Sequence, residues 1–222
     1  ATYKVTWKSE GLRCLLLITN PGVVYLLDER NEAYRVSGLT FPYSGNTSKQ
    51  IFTTLLDGEL VFDQDAGKSR PRYLIHDILH FRCSAVRKMD FNVRELCIQK
   101  EIIEARRQSA QAGVFSPVDE PFSIRKKDFF PVNMTGELLA PTFRSQVPHR
   151  VDGVVFKPVY RSYASGCEDG MLDWTFPRSN VGDASMSEKS LLEAVRLAAA
   201  RGSARPSPAS EDERPSKRSR NI

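Results

Sequence analysis

Residues 3–18, YKVTWKSEGLRCLLLI, begin with a regular alternation of apolar and polar side chains that ends at a glycine. Tyr3, Val5 and Trp7 occupy every second position, and Lys4 and Lys8 lie between and after them. A period of two places the apolar side chains on one face of a strand and the lysines on the other. The segment CLLLI beyond the glycine predicts a second, buried strand. Taken alone, the first half is also typical of an edge strand whose lysines face water.

The composition is that of a globular protein with a mildly basic surface. The chain has 222 residues, of which 41% are hydrophobic, enough for one large domain or two small ones. Its net charge of +5 and pI of about 9.1 favour a polyanionic partner. The 4 cysteines are widely spaced and form no CxxC pair, which indicates free thiols in a reducing compartment rather than a zinc or redox site.

The first residues carry no targeting signal, and no apolar run is long enough to cross a bilayer. We therefore expect no membrane partner. Because the chain enters a strand almost at Ala1, we expect a cut fragment rather than a natural beginning.

Strand patterns dominate the first eighty residues. The predicted strands, separated by turn signals, are Tyr3–Lys8, Arg13–Thr19, Val23–Asp28, Ala33–Val36, Thr54–Phe62 and Arg72–Leu79. Residues 63–71 are expected to be a polar loop. Residues 91–110 predict a helix whose buried face carries Val93, Leu96, Cys97, Ile102 and Ile103. A second helical stretch is expected over 136–145, and strands over 151–160 and 171–176.

The composition changes near residue 180. We expect one domain over residues 1–180, an amphipathic helix within 181–201 and a disordered basic tail over 202–222. The KRSR near the end of this tail is equally compatible with a nuclear-import patch, a phosphate-contacting tail or a merely solvated terminus.

Three segments place charged residues beside a glycine at the end of an apolar strand. They are KSEGLR at 8–13, LLDGEL at 55–60 and VDGVVFKP at 151–158. Each alone is no more than a common turn signal, because Asp-Gly is a frequent turn dipeptide.

Together and in this order, the three segments resemble the motifs of the covalent nucleotidyltransferases, which include messenger RNA capping guanylyltransferases and polynucleotide ligases. Further matching text narrows the resemblance to the capping enzymes of animals: FP at 41–42, RYLIHDIL, DFNVRELCIQKEII and EPFSIRKKDFF. The resemblance spans about residues 2–177, and DFNVR with EPFS argues against the ligases. It implies an α+β, mainly antiparallel nucleotidyltransferase domain of the DNA ligase (ATP-grasp-like) type. No length remains for the oligonucleotide-binding (OB) domain that follows in relatives.

The resemblance implies a role for six residues. Lys8 would be the nucleophile that takes GMP from GTP as a lysyl-GMP intermediate and passes it to the 5′-diphosphate end of RNA. Arg13 would hold the ribose or phosphates, and Glu59 the ribose hydroxyls. Asp152 would bind Mg²⁺ or Mn²⁺, which prefer carboxylate and phosphate oxygens. His76 stands where relatives carry a stacking aromatic, and Lys157 shares the Asp152 motif although alternation puts it on the opposite sheet face.

The implied partners are GTP, a divalent metal, the 5′ end of nascent mRNA and the phosphorylated tail of RNA polymerase II, and the implied compartment is the nucleus.

Four departures from the family pattern bear on activity. Glu10 replaces an aspartate, Arg30 lies one place away from the family arginine, and the OB domain is absent. Most seriously, Asp173 and Thr175 flank Trp174 where relatives carry two phosphate-contacting lysines. Loss of one preorganised charge-stabilising donor costs about 2.7–4 kcal/mol. Three hypotheses follow: an active enzyme in which Lys4 and Lys157 supply charge, a catalytically silent GTP- or RNA-binding relative, and a truncated product that folds poorly.

Overall fold

Two β-sheets share the segment 3–18, which contributes one strand to each. The computed structural model describes residues 3–19, 22–65, 67–163, 170–177 and 186–203. Strand β1 (Tyr3–Ser9) lies inside a four-stranded antiparallel sheet of order β10-β1-β11-β12, the small sheet. Strand β2 (Leu12–Ile18) lies inside a six-stranded sheet of order β4-β3-β2-β7-β8-β9, the large sheet. The two residues between them, Glu10 and Gly11, therefore carry the chain from one sheet to the other.

The remaining strands follow the sequence pattern with a few additions. They are β3 (Val24–Leu27), β4 (Ala33–Val36), β5 (Pro42–Tyr43), β6 (Asn46–Gln50), β7 (Thr54–Asp65), β8 (Lys68–His80), β9 (Ser123–Lys126), β10 (Phe130–Pro131), β11 (Val151–Pro158) and β12 (Leu172–Thr175). All pairs are antiparallel except β8 with β9. The predicted mainly antiparallel α+β class is thus confirmed.

Helices cover one face of each sheet. Helix α1 (Phe91–Cys97) continues through a π-helical segment, Ile98–Glu104, into α2 (Ala105–Gln111), and this rod packs on the large sheet. On the small sheet lie α3 (Thr135–Leu139), α4 (Pro141–Gln146) and α5 (Glu188–Ser203). Single 3-10 turns occupy Val86–Lys88 and Val132–Met134. Polar contacts connect the other faces of the two sheets, such as Lys157 with Asp77 and Lys127 with Ser9 and Glu59, and we call this polar junction the cleft.

Each sheet has its own apolar core. Under the large sheet, side chains of β2, β7 and β8 pack against the helical rod, with Leu16, Leu56, Ile75 and Ile102 almost fully buried. Behind the small sheet, Val5, Val154, Phe156 and Trp174 pack against α3 and α5. The alternation predicted for β1 is observed, because Val5 and Trp7 are buried while the two lysines point into the cleft.

The edge-strand interpretation of β1 is wrong. β1 pairs with β10 on one side and β11 on the other, and both of its lysines form ion pairs. The expected loop over 63–71 is also wrong, since β7 and β8 continue in register to the pair Asp65 and Lys68. The segment reads DQDAGKSRP, and its polar composition with Gly67 and Pro71 made the end of this long hairpin look like a loop.

The buried face of the first helix agrees with the prediction at Cys97, Ile102 and Ile103, which pack in the core of the large sheet, but not at Val93 and Leu96. Val93 and Leu96 are 48% and 56% exposed, whereas Phe91 and Arg94 are buried. The reason is an ion pair in the interior, where Arg94 Nε lies 2.7 Å from Asp77 Oδ1. This contact turns the helix so that Arg94 faces inward. The stretch 136–145 is two short helices rather than one, since Pro141 starts a new helix after Ala140.

Helix α5 packs on the small sheet through Leu191, Leu192 and Val195. The Trp174 indole N–H donates to the Met186 carbonyl at 2.7 Å, which fastens β12 to the start of this helix. Residues 178–185 and the predicted tail from 204 onward lie outside the described residues. The proposed domain boundaries stay predictions.

Cys14, Cys83 and Cys97 are free thiols, as expected, and Cys167 lies outside the described residues. Within the described ranges, no helix combines the length and the apolarity that crossing a membrane requires.

Candidate functional site

Lys8 lies at the cleft end of β1, where its amine contacts two residues of β12. Lys8 Nζ lies 2.5 Å from Asp173 Oδ2 and donates to Thr175 Oγ1 at 2.9 Å. The register explains both contacts, since Lys8 pairs with Gly153 and Gly153 pairs with Thr175 across three strands. The two positions at which lysines were expected therefore contact the candidate nucleophile itself.

Gly153 makes this arrangement possible because it lets β12 approach β11 closely. A Cβ atom at Gly153 would lie 1.9 Å from the Trp174 carbonyl oxygen. Any larger residue would push β12 outward and carry Asp173 and Thr175 away from Lys8.

Arg13 and Glu59 lie directly opposite each other on β2 and β7 and share the cleft face. The Arg13 guanidinium is paired with Asp57, with Nη2 at 3.0 Å from Oδ2, and this carboxylate raises the pKa of Arg13. The Tyr163 hydroxyl donates to the same Asp57 oxygen at 3.0 Å. Asp57 and Tyr163 were not predicted as site residues, although Asp57 belongs to the LLDGEL segment.

Glu59 is buried and accepts hydrogen bonds from two other side chains. Lys127 Nζ lies 2.7 Å and His76 Nε2 3.1 Å from Glu59 Oε1. Burial alone would raise the pKa of Glu59, but its contacts with His76 and Lys127 outweigh burial and hold the pKa well below its usual range. Glu59 is therefore an anionic acceptor within the cleft.

Lys127 was missed by the sequence analysis. Its side chain is 3% exposed, and its amine donates to Ser9 Oγ at 2.6 Å and lies 5.2 Å from the centre of the Trp7 ring. Burial lowers the pKa of Lys127 against the opposing effect of Glu59. The signal was present in EPFSIRKKDFF, where two adjacent lysines follow a strand, but periodicity does not say which of them turns inward.

His76 reaches Glu59 because of a β-bulge. The register of β7 and β8 shifts between Asp57 and Gly58, so that His76 is skipped and both it and Asp77 face the cleft. Burial lowers the pKa of His76, and the charge of Lys127 lowers it further. The predicted stacking of His76 on a guanine stays a prediction.

Lys157 lies on the same face of the small sheet as Lys8. Its strand partner is Lys4. Alternation counted from Asp152 would put Lys157 on the opposite face, but the register between β1 and β11 skips Asp152, so that count does not apply. Lys157 Nζ lies 2.7 Å from Asp77 Oδ2 and its side chain is 5% exposed. Lys4 Nζ lies 2.5 Å from Glu95. Both lysines expected to supply substitute charge are thus already engaged with carboxylates.

Asp152 occupies the bulge of β11, and its Oδ1 lies 3.4 Å from Arg150 Nε. The Glu10 carboxylate lies 2.9 Å from Arg150 Nη1, so its extra methylene, relative to aspartate, places it against an arginine at the cleft rim. Among the described residues, no group of three or more histidine, cysteine, aspartate or glutamate side chains could hold a metal ion. Asp152, the predicted metal ligand, is therefore not part of such a group.

The displaced arginine, Arg30, lies in a turn rather than in a strand. Asp28 Oδ1 accepts from the backbone N–H groups of Arg30 and Glu32, both at 2.9 Å. Strand alternation therefore does not determine where the Arg30 side chain points.

A buried chain of hydrogen bonds lies behind Lys8 and joins the two sheets. The Trp7 indole N–H donates to His149 Nε2 at 3.0 Å, and His149 Nδ1 lies 2.9 Å from Asp63 Oδ1. Since an indole nitrogen is a donor only, His149 is neutral with its proton on Nδ1. Burial lowers the pKa of His149, which agrees with this tautomer.

Comparisons with known proteins show the family of the chain. The family model described as mRNA capping enzyme, catalytic domain, matches residues 1–177. The chain is 40% identical to the mRNA-capping enzyme of Danio rerio and 39% identical to that of Mus musculus, in each case over 82% of this chain and 30% of the relative. It is 33% identical to the Caenorhabditis elegans enzyme over 82% of this chain and 29% of that relative. The chain therefore spans less than a third of the length of these relatives.

Solved structures of DNA ligases also resemble the chain. The ligase domain of Mycobacterium tuberculosis LigD aligns at 14% identity with a TM-score of 0.44, over 78% of this chain and 53% of that one. A Lig E DNA ligase aligns at 14% identity with a TM-score of 0.46, over 79% and 62%. The sequence matches, by contrast, decide the family: the chain belongs to the mRNA capping enzyme catalytic-domain family, whose members are nucleotidyltransferases.

Proposed function

We propose that this chain transfers GMP from GTP to the 5′-diphosphate end of RNA through a covalent lysyl-GMP on Lys8. The observation that carries the proposal is the position of Lys8 at the mouth of a cleft that also holds Arg13 and Glu59. Arg13 offers a planar cation for phosphate or ribose oxygens, and Glu59 offers an anionic acceptor for ribose hydroxyls.

The chemistry assigns Lys8 a role in two steps. The Lys8 ammonium first loses one proton to solvent. The resulting amine attacks the α-phosphorus of GTP, a P–N bond forms, and the P–O bond to pyrophosphate breaks. A second proton then passes from the nitrogen to pyrophosphate. An oxygen of the RNA diphosphate then attacks the same phosphorus, and the P–N bond breaks as the amine regains its protons. Both steps depend mainly on positioning and on charge neutralisation.

The Lys8–Asp173 pair must open before the first step. Its side chains are 34% and 60% exposed, so the pair is solvent-screened and worth about 0–1 kcal/mol. Opening it costs at most about fivefold in rate, since 1.4 kcal/mol corresponds to tenfold. The lack of two phosphate-contacting lysines is more costly, at about 2.7–4 kcal/mol for one preorganised donor. We therefore propose a slow enzyme limited by absent phosphate contacts rather than by the ion pair.

Asp152 fits a divalent metal that arrives with the nucleotide. Mg²⁺ is commonly held by one or two carboxylates together with substrate phosphates and water, so a single carboxylate suffices. When bound by Asp152, Mg²⁺ or Mn²⁺ would neutralise phosphate charge. The family resemblance extends the proposal to nuclear mRNA processing and to the phosphorylated tail of RNA polymerase II as a partner.

A second candidate is a GTP- or RNA-binding protein without turnover. It is favoured by Asp173, whose carboxylate forms an ion pair with the Lys8 amine and would repel the α-phosphate of GTP. The two candidates differ in one product, the covalent GMP adduct.

The test combines a binding and a covalent readout on the same preparation. Calorimetric titration with GTP and Mg²⁺ measures binding, and intact-mass spectrometry after incubation detects the adduct. Guanylyl transfer predicts both, with Lys8→Arg binding GTP but forming no adduct. Binding without an adduct over long incubation, in Mg²⁺ and in Mn²⁺, would favour the second candidate.

A further inference from the structure

A recess opens where β11 begins and β12 ends, next to Thr175, the hydroxyl partner of Lys8. Its walls include two arginines, an aromatic ring and a proline: Arg144, Arg150, Phe176 and Pro177. Asp152, the candidate metal ligand, lies at its edge. The recess therefore borders a residue that contacts Lys8, where a lysyl-GMP would form.

Arg144 is held in the recess by an aromatic ring rather than by a carboxylate. Its guanidinium carbon lies 4.5 Å from the centre of the Phe176 ring, and the side chain is exposed. Within the described parts of the chain, no acidic side chain pairs with it. Contact with the ring orients the planar guanidinium and leaves its N–H donors for a ligand.

Arg150 forms the second cation of the recess, and its present partners are weak competitors. It contacts Glu10 at 2.9 Å and Asp152 at 3.4 Å, but its side chain is 67% exposed and that of Glu10 is 49% exposed. Ion pairs this exposed are largely screened by solvent. A doubly charged phosphate end could therefore replace Glu10 on Arg150.

We infer that this recess binds the 5′-diphosphate end of the acceptor RNA, with Arg144 and Arg150 on the phosphates and Phe176 with Pro177 against the first nucleoside. Arginine forks match phosphate oxygens two at a time, and nucleobases pack well on aromatic faces. The inference rests on the proposed guanylyl transfer, because it locates the second substrate of that reaction. Thr175 connects the recess with the nucleophile, since it borders the recess and contacts Lys8.

The first test measures binding of a short fluorescent RNA with either a 5′-diphosphate or a 5′-hydroxyl end to the whole chain. Arg144→Gln should weaken binding of the diphosphate RNA about tenfold, the size of one charge-assisted hydrogen bond, and change binding of the hydroxyl RNA much less. The slope of log affinity against log salt should fall by about 1 for the diphosphate RNA. Arg144→Lys keeps the charge but loses the planar fork that contacts the ring, and should recover only part of the affinity.

Arg35→Gln is the matched control, because Arg35 is an exposed arginine on β4, at the edge of the large sheet. It removes the same charge and should leave the preference for the diphosphate end unchanged. Equal losses in Arg35→Gln and Arg144→Gln, or no preference for the diphosphate end in the unaltered chain, would overturn the inference.

The second test separates this inference from the proposed function. With adduct formed from GTP and then freed of nucleotide, Arg144→Gln should slow transfer to RNA several-fold more than it slows adduct formation. A larger effect on GTP binding or adduct formation would instead assign the recess to the phosphates of GTP and overturn the inference. If no adduct forms at all, the proposed function fails while the RNA-binding test still decides on the recess.

Discussion

The amine of Lys8 lies 2.5 Å from the carboxylate of Asp173, across the cleft end of the small sheet. In the pattern that the family resemblance implies, this position carries a lysine that contacts the phosphate. The chain thus carries an anion beside the nucleophile where the family pattern has a cation. Substitutions can separate the effect of this ion pair on the rate from the effect of the missing lysines.

Asp173→Asn removes the ion pair while keeping the size of the side chain. Because the exposed pair is worth about 0–1 kcal/mol, adduct formation should rise by no more than about fivefold. The double change Asp173→Lys and Thr175→Lys supplies the missing donors and should raise the rate by about a hundredfold. Single-turnover labelling with GTP measures both. A gain from Asp173→Asn as large as that from the double change would show that the ion pair, and not the missing donors, limits the rate.

Glu59→Gln should lower the free energy of unfolding by about 3–5 kcal/mol at neutral pH, since it leaves the buried ammonium of Lys127 without its carboxylate. Because the folded pKa of Glu59 is depressed, its contribution to stability is present above the unfolded value of about 4.3 and is lost as pH falls below it. Urea unfolding between pH 7 and pH 3 measures this dependence. The variant should lose less stability over that acid range than the unaltered chain, and parallel curves would contradict the assignment.

His149 predicts a second pH dependence at milder acidity. Its folded pKa lies below the unfolded value of about 6.5, so the unfolded chain takes up a proton first and stability falls as pH drops below 6.5. The slope from one such group is at most about 1.4 kcal/mol per pH unit. His76 contributes in the same direction. His149→Gln should therefore reduce, but not abolish, the slope between pH 6.5 and pH 5, and an unchanged slope would contradict a neutral, buried His149.

Asp77 holds two buried cations, Arg94 and Lys157, and thereby joins helix α1 and both sheets. Asp77→Asn should lower the free energy of unfolding by about 3–5 kcal/mol, because both cations lose their counter-ion. Lys157→Met leaves the Arg94 pair intact and should cost about 1–3 kcal/mol. Chemical denaturation measures the difference. Comparable small losses in both variants would mean that this cluster does not fasten the sheets together.

The sequence predicted the strands around the site well because their alternation is regular, although Gly58 and Gly153 lie within β7 and β11 rather than at the end of a strand. It could not predict that β1 and β2 enter different sheets, since alternation shows which side chains share a face of a strand and not which strands pair with each other. It misplaced the buried face of α1 because Arg94 is drawn inward by Asp77, a partner seventeen positions away in sequence. Lys127 and His149 were missed for the same reason, as their partners Glu59, Trp7 and Asp63 come from distant strands.

Register places Arg13 opposite Glu59 in the large sheet, and Lys127 connects Glu59 to Ser9, the neighbour of Lys8 in the small sheet. The pairing of Lys8 with Asp173 was not anticipated, although both residues had been singled out. Asp173 and Thr175, the two departures from the family pattern that flank Trp174, both contact Lys8 in the structure.

The most direct test of the account is covalent labelling of the chain with α-labelled GTP and Mg²⁺ or Mn²⁺, read after denaturing electrophoresis and peptide mapping. We predict a slow, acid-labile label on the peptide containing Lys8, absent from Lys8→Arg and stronger in the Asp173→Lys, Thr175→Lys double variant. A label that persists in Lys8→Arg, or no label on either the unaltered chain or the double variant although both fold and bind GTP, would contradict guanylyl transfer through Lys8.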